Sequence, residues 1–95
     1  MCDLLIKNGT LIDGTGAPGF LADIFVKDGK IESIGPSLEI ECHTILDASQ
    51  KIVCPGFIDI HSHTDTVILI NPKAESKIRQ GITTEIVGNC GMSAA

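Results

Sequence analysis

His61 and His63 close the apolar run Phe57-Ile58-Asp59-Ile60 as a His-x-His pair, a spacing that aims two imidazoles at one point. In an extended chain alternate side chains share a face, and two residues of rise cover about 6.6 Å. Imidazoles offset in this way can converge on a single ion with Zn–N bonds of about 2.0 Å. Cys90, set between Gly88-Asn89 and Gly91, offers a sulfur donor, and the two glycines leave backbone room for a ligand to approach. Imidazole together with thiolate favours zinc over magnesium or calcium, which take oxygen donors. Three protein ligands leave a position open for water, which zinc can ionise near neutral pH, so the chemistry in prospect is hydrolysis.

Each of these residues also has a plainer reading. A cysteine packs well as a small hydrophobe, which is the alternative for Cys90. Asp59 shares a strand face with His61 and His63 and either orients an imidazole, as metal-bound histidine requires, or serves as a structural hydrogen-bond acceptor. Asp65 either faces substrate or a cap, or is a solvated loop carboxylate. His43, Cys2, Cys42 and Cys54 have no partners at useful spacing and read as structural. Met1-Cys2-Asp3 does not open a signal peptide, so a cytoplasmic location and four free thiols are expected.

The elements that must position the donors change character along the chain. Up to residue 52, short apolar segments alternate with Gly-bearing dipeptides, the pattern of strands joined by tight turns. Ile6-Lys7-Asn8-Gly9-Thr10-Leu11 and Val26-Lys27-Asp28-Gly29-Lys30-Ile31 place the same residue types around Asn-Gly and Asp-Gly, which predicts two related hairpins. The glycines of Asp13-Gly14-Thr15-Gly16-Ala17-Pro18-Gly19 are followed by a strand-like Ile24-Phe25-Val26 and not by a helix, so a flexible turn is favoured over a phosphate loop. Gly35-Pro36-Ser37 ends the second hairpin, Thr44–Asp47 is a further short strand, and Gln50-Lys51 a turn.

From Ile52 to Ile60 the run is nearly continuously apolar, with Pro55-Gly56 marking a hand-over between two sheets. Strands of this composition are mostly parallel and covered by helices. Asn71 can cap such a helix, Pro72 suits its first turn, Ala74 and Ile78 lie four apart, and Gly81 can end it. Ile82-Thr83-Thr84-Glu85-Ile86-Val87 then reads as a second strand, so residues 53 to 88 make one β-α-β unit. His61 and His63 end its first strand and Cys90 its second, where parallel β/α folds gather functional groups. A closed barrel takes about 250 residues. The chain is therefore expected to be a truncated mixed α/β protein, with residues 1–52 a β-rich domain and 53–95 an unfinished β/α portion.

Composition narrows the partners. The chain has 95 residues, 43% of them apolar, enough for one modest core. Twelve acidic against seven basic side chains give a formal charge of −5 with scattered cations, which argues against nucleic acid or an anionic membrane surface. No apolar run approaches the roughly 20 residues that span a bilayer. Aromatic content is 3%, all Phe, too little for a stacking platform. A small molecule is the expected ligand. An unfinished β-α-β leaves strand edges and an apolar face uncovered, so self-association or disorder near residues 64–70 and 88–95 is expected.

At Pro55-Gly56-Phe57-Ile58-Asp59-Ile60-His61-Ser62-His63 the chain resembles the metal-dependent amidohydrolase superfamily, whose (β/α)8 barrel starts with this kind of strand beside a small β-sandwich. Ala74-Glu75-Ser76-Lys77-Ile78-Arg79-Gln80-Gly81 and, above all, Gly88-Asn89-Cys90-Gly91 are similar to the N-acyl-D-amino-acid deacylase (D-aminoacylase) family, over essentially the whole chain. The resemblance implies that residues 1–52 are part of the sandwich and 53–95 the first β-α-β of the barrel. It implies hydrolysis of N-acyl-D-amino acids to a carboxylate and a free D-amino acid, with one or two zinc ions. His61 and His63 then correspond to first-strand metal ligands and Cys90 to the family's cysteine ligand. No catalytic residue falls within these 95: the family's remaining histidine ligands and its general-base aspartate come from later strands. The chain by itself is thus expected to be inactive, with weak or no zinc occupancy.

Two other readings compete. A dihydroorotase- or hydantoinase-like cyclic amidase usually carries Arg two residues after the second His, where this chain has Asp65, and uses a carbamylated Lys; both points favour the deacylase. The chain could also be a complete β-rich binding or assembly module with incidental histidines.

Overall fold

A computed structural model describes residues 2–91, which form two compact units, one ending at Pro55 and the next beginning at Gly56. The first unit is one mixed sheet built around a ten-residue strand, β1 (Cys2–Leu11). β2 (Phe20–Lys27) pairs with it antiparallel and β3 (Lys30–Gly35) pairs antiparallel with β2. On its other edge β1 takes two parallel partners in succession, β4 (Cys42–Asp47) beside Cys2–Lys7 and β5 (Ile52–Val53) beside Thr10–Leu11.

Of the two expected hairpins one forms. Asp28-Gly29, at φ 51° and 72°, turns β2 into β3, the double positive φ that a tight two-residue hairpin turn demands. Asn8-Gly9 does not turn the chain; it lies inside β1. Asn8 adopts φ 64° and the β1–β2 register shifts between Ile6 and Gly9, so the left-handed residue makes a bulge. Tertiary contacts choose this outcome. The Asn8 N–H donates to Asp23 Oδ1 at 2.8 Å, and the Asn8 side-chain amide to Asp47 Oδ1 at 3.2 Å. Asp23 is buried, and its other oxygen accepts the Leu38 N–H at 2.9 Å, so the carboxylate ties the bulge to the loop after β3. Asp47 titrates below the ordinary carboxyl value because the Ser49 hydroxyl, the Asn8 amide and the Ser49 N–H all donate to it.

Leu11, Ala22 and Ile24 form the packed centre of this unit, with Ile6, Val26 and Val53 against them, and Leu5 is fully buried. Beside them runs an apolar groove of about 360 Å³, with Ile31, Ile34, Val53 and Cys54 in its wall. Cys2 and Cys42 are register partners on the parallel strands and form a disulfide, which corrects the expectation of four free thiols: adjacency across the sheet, invisible in their spacing of forty residues, brings the sulfurs together. Cys54 and Cys90 are free.

The second unit contains β6 (Phe57–Asp59) and β7 (Ile82–Glu85), paired parallel, with the one-turn helix α1 (Glu75–Ile78) in the crossover. The apolar run from Ile52 is broken between Val53 and Phe57, and its two halves join different sheets. The helix is shorter than its signals suggest. Ala74, at φ 45°, lies outside the helical region and is the residue before it, so Asn71 and Pro72 belong to a turn in which the Asn71 carbonyl accepts the Ala74 N–H. Gly81, at φ 84°, follows the helix as expected. Phe57, Ile58 and Ile60 are exposed, as are Leu69 and Ile70 in the crossover. Residues 64–70 form a succession of turns; the expectation for 88–95 falls partly on residues 92–95, outside the described range.

A Cβ built on Gly9 would lie 2.5 Å from Val53 Cγ2 and 3.3 Å from Ala48 Cβ, so Gly9 is the point at which β1 admits β5. Gly9→Ala is expected to force the stiff Val53 side chain aside and to destabilise the fold by about 1–3 kcal/mol, the usual range for overpacking. Urea unfolding measures this, and a midpoint equal to wild type would show that β5 does not rest on Gly9.

Candidate metal centre

The local chain explains how donors that leave their strands early still meet. β6 stops at Asp59, two residues before His61, and β7 stops at Glu85, so neither the histidines nor Cys90 are strand residues as expected. Ile60-His61 forms a bend, His63 precedes the 3-10 turn Thr64–Thr66, and Cys90 lies in the turn Asn89–Gly91. Convergence comes from backbone bonds that continue beyond the regular pair: Ile86 N–H to the Asp59 carbonyl at 2.8 Å and Ser62 N–H to the Ile86 carbonyl at 2.9 Å. These stitch the two loops together.

The donor atoms of His61, His63 and Cys90 all lie within 4.8 Å of one another. Cys90 Sγ is 3.2 Å from His61 Nε2, and the two imidazole rings stand edge to face with centroids 5.4 Å apart. Ligands of a tetrahedral zinc with bonds of about 2.0–2.3 Å are separated by about 3.3–3.8 Å. One contact already has that scale, and the others need a small contraction around an ion. All three side chains are exposed. Cys90 is held at φ 58°, ψ 20°, left-handed backbone that is unusual for a non-glycine residue and recurs where surrounding structure fixes a functional side chain.

A polar network supports these loops. Asp59 Oδ1 accepts the backbone N–H of His61 at 3.1 Å and Oδ2 receives the Lys77 ammonium at 2.7 Å, so its carboxylate fixes the His61 backbone and α1 and does not bond an imidazole. Lys77 also stands 3.9 Å from Glu85 Oε1. That oxygen accepts the Thr64 hydroxyl at 3.0 Å, and Thr64 Oγ1 is 2.8 Å from the hydroxyl of Ser62, which is buried. The Lys77 ammonium, and then the His61 N–H, hold the Asp59 carboxyl below its ordinary pKa, and Asp59 in turn raises that of Lys77. Asp65 is half-buried within the Thr64–Thr66 turn.

Sequence reasoning missed Lys77, Glu85, Thr64 and Ser62. Lys77 and Glu85 carried no motif; only the β-α-β reading, with Lys on the crossover and acids at both strand ends, held a hint of their meeting. His43 and Cys54 lie in the first unit, outside this cluster.

No protein-family model matches the chain. Comparison with individual proteins is decisive. Over 93 residues it is 46% identical to D-aminoacylase from Alcaligenes xylosoxydans xylosoxydans, covering 98% of this chain and 19% of that protein. A crystal structure of N-acyl-D-glutamate deacylase from Bordetella bronchiseptica, complexed with zinc and a phosphonate mimic of the tetrahedral intermediate, superimposes with a TM-score of 0.94 at 50% identity, covering 99% of this chain and 20% of the other. L-hydantoinase (dihydropyrimidinase) from Arthrobacter aurescens is more distant, with a TM-score of 0.77 and 36% identity over 92% of this chain and 20% of that one. The resemblance carried by Gly88-Asn89-Cys90-Gly91 is thus borne out, and the chain matches the N-terminal part of amidohydrolase structures. It spans about a fifth of the length of these relatives.

Proposed function

This chain is a homologue, along its whole length, of the N-acyl-D-amino-acid deacylases within the amidohydrolase family, and on that premise we propose that it supplies the first metal ligands of a zinc-dependent deacylase. The observation that carries the reading is the meeting of His61, His63 and Cys90, residues up to 29 positions apart, within 4.8 Å. Two imidazoles and one thiolate form a donor set suited to zinc, the metal held by the homologous N-acyl-D-glutamate deacylase structure.

In this role His61 and His63 hold the ion through ring nitrogens and Cys90 through its thiolate. Zinc bound there would polarise an amide carbonyl and activate water toward it. Asp59 positions the His61 backbone, and the Thr64–Glu85 bond holds the loop that carries His63 and Asp65. Asp65 faces the substrate side in this reading. The substrate class is an N-acyl-D-amino acid, cleaved to a carboxylate and a free D-amino acid. The remaining ligands and the general-base carboxylate are assigned to the rest of the longer enzyme, so these 95 residues alone are expected to lack activity.

In the same reading, residues 1–52 contribute to a small β-sandwich and residues 53–95 to the first β-α-β of a (β/α)8 barrel. The apolar groove of the first unit supports the sandwich as a face suited to further strands, and the parallel β6–β7 pair supports the barrel. No helix among the described residues is long and apolar enough to cross a membrane. With a charge of −5 the partner proposed is a small molecule and neither nucleic acid nor a membrane surface, in a cytoplasmic setting.

Cys90→Ala, made in the enzyme at the full length of its relatives, is expected to abolish tight zinc binding and hydrolysis together; zinc content by mass spectrometry that matches wild type would remove Cys90 from the ligand set. Assayed on N-acetyl-D-amino acids and on cyclic hydantoins, the wild-type enzyme should turn over the first group, and preference for the cyclic amides would favour the hydantoinase reading. The exposed Phe57, Ile58, Ile60, Leu69 and Ile70 should make the 95-residue chain self-associate. Light scattering checks this, and a monodisperse monomer at high concentration would count against it.

A further inference from the structure

We infer that Lys77 is a positioning residue for the metal centre, an assignment that rests on the reading of His61, His63 and Cys90 as zinc ligands. Asp59 and Glu85 are register partners, each the last residue of its strand in the parallel pair. Like charges directly opposite one another on neighbouring strands repel, and here the repulsion acts where the chains leave the sheet for the donor loops. The Lys77 ammonium, brought from α1, stands 2.7 Å from Asp59 and 3.9 Å from Glu85. The three side chains are 31%, 22% and 17% exposed, sheltered enough that solvent screens the interaction less than on an open surface.

Each carboxylate is also bonded to a donor loop. Asp59 accepts the His61 backbone N–H, and Glu85 accepts the Thr64 hydroxyl just after His63. From Glu85 the chain runs through Ile86, whose N–H and carbonyl are held by the other strand's loop, to Cys90. One ammonium therefore sets the separation of two strand ends whose loops carry nitrogen donors on one side and the sulfur donor on the other. Lys77 touches no reacting atom; it acts through Asp59 and Glu85.

Cobalt(II) titration of the full-length, metal-free enzyme tests this, because bound cobalt reports a thiolate ligand through its charge-transfer absorption. Wild type showing no thiolate band would sink the ligand reading itself, on which the inference rests. With the band present in wild type, Lys77→Met, which keeps the length of the stem and removes the charge, is expected to weaken cobalt affinity about tenfold or more and to dim the band, and Lys77→Arg to restore most of both. A merely structural lysine would lower the unfolding midpoint and leave the affinity and spectrum of the folded protein unchanged. Wild-type affinity and spectrum in Lys77→Met, or an arginine variant as impaired as the methionine one, overturns the assignment. If Lys77→Met does not fold, Lys77→Gln, equally uncharged, takes its place with the same loss expected, and unchanged cobalt binding there overturns it equally.

Discussion

Two carboxylates end neighbouring parallel strands side by side, and an ammonium from the crossover lies between them. On this arrangement the donor cluster depends. Parallel pairing alone brings β6 and β7 together, yet it leaves Asp59 and Glu85 opposed at the point from which the loops depart. Lys77 relieves that opposition, and the spare hydrogen-bonding capacity of the two acids is spent on His61 and Thr64. Charge compensation and loop placement are the same set of bonds, so the cluster needs no strand geometry of its own beyond Asp59 and Glu85.

The first unit shows the same economy. Among the described residues Asp23 is buried without an ion-pair partner, and the structure satisfies it with two backbone N–H groups, of Asn8 and Leu38. A buried carboxylate is costly unless its oxygens are met by donors. Here the donors are a bulge and a loop that would otherwise lack fixed geometry, so β1 runs through Asn8-Gly9 and gains parallel partners at both ends.

Homology places the chain as a whole among the amidohydrolases. The deacylase structures match this chain at a TM-score of 0.94, against 0.77 for the L-hydantoinase, in line with what Cys90 and Asp65 imply. The proposed chemistry follows from the donor atoms: a thiolate beside two imidazoles is a zinc set, and its exposure in this chain leaves its open side to whatever completes the site.

The amino-acid sequence by itself determined the donor types, the Asp28-Gly29 turn, the hand-over at Pro55-Gly56 and the strand-crossover-strand order, because each depends on residue chemistry or on neighbours a few positions away. It misread Asn8-Gly9 as a turn and Asn71 as a helix cap, and it gave no reason to join Cys2 to Cys42 or Lys77 to Asp59 and Glu85. Asn-Gly has the same local preference in a turn and in a bulge, and the choice fell to Asp23, fifteen residues away. The 3.2 Å approach of Cys90 to His61 likewise exists only once β6 and β7 have paired, since the bonds that fix it join segments whose separation along the chain carries no signal of their separation in space.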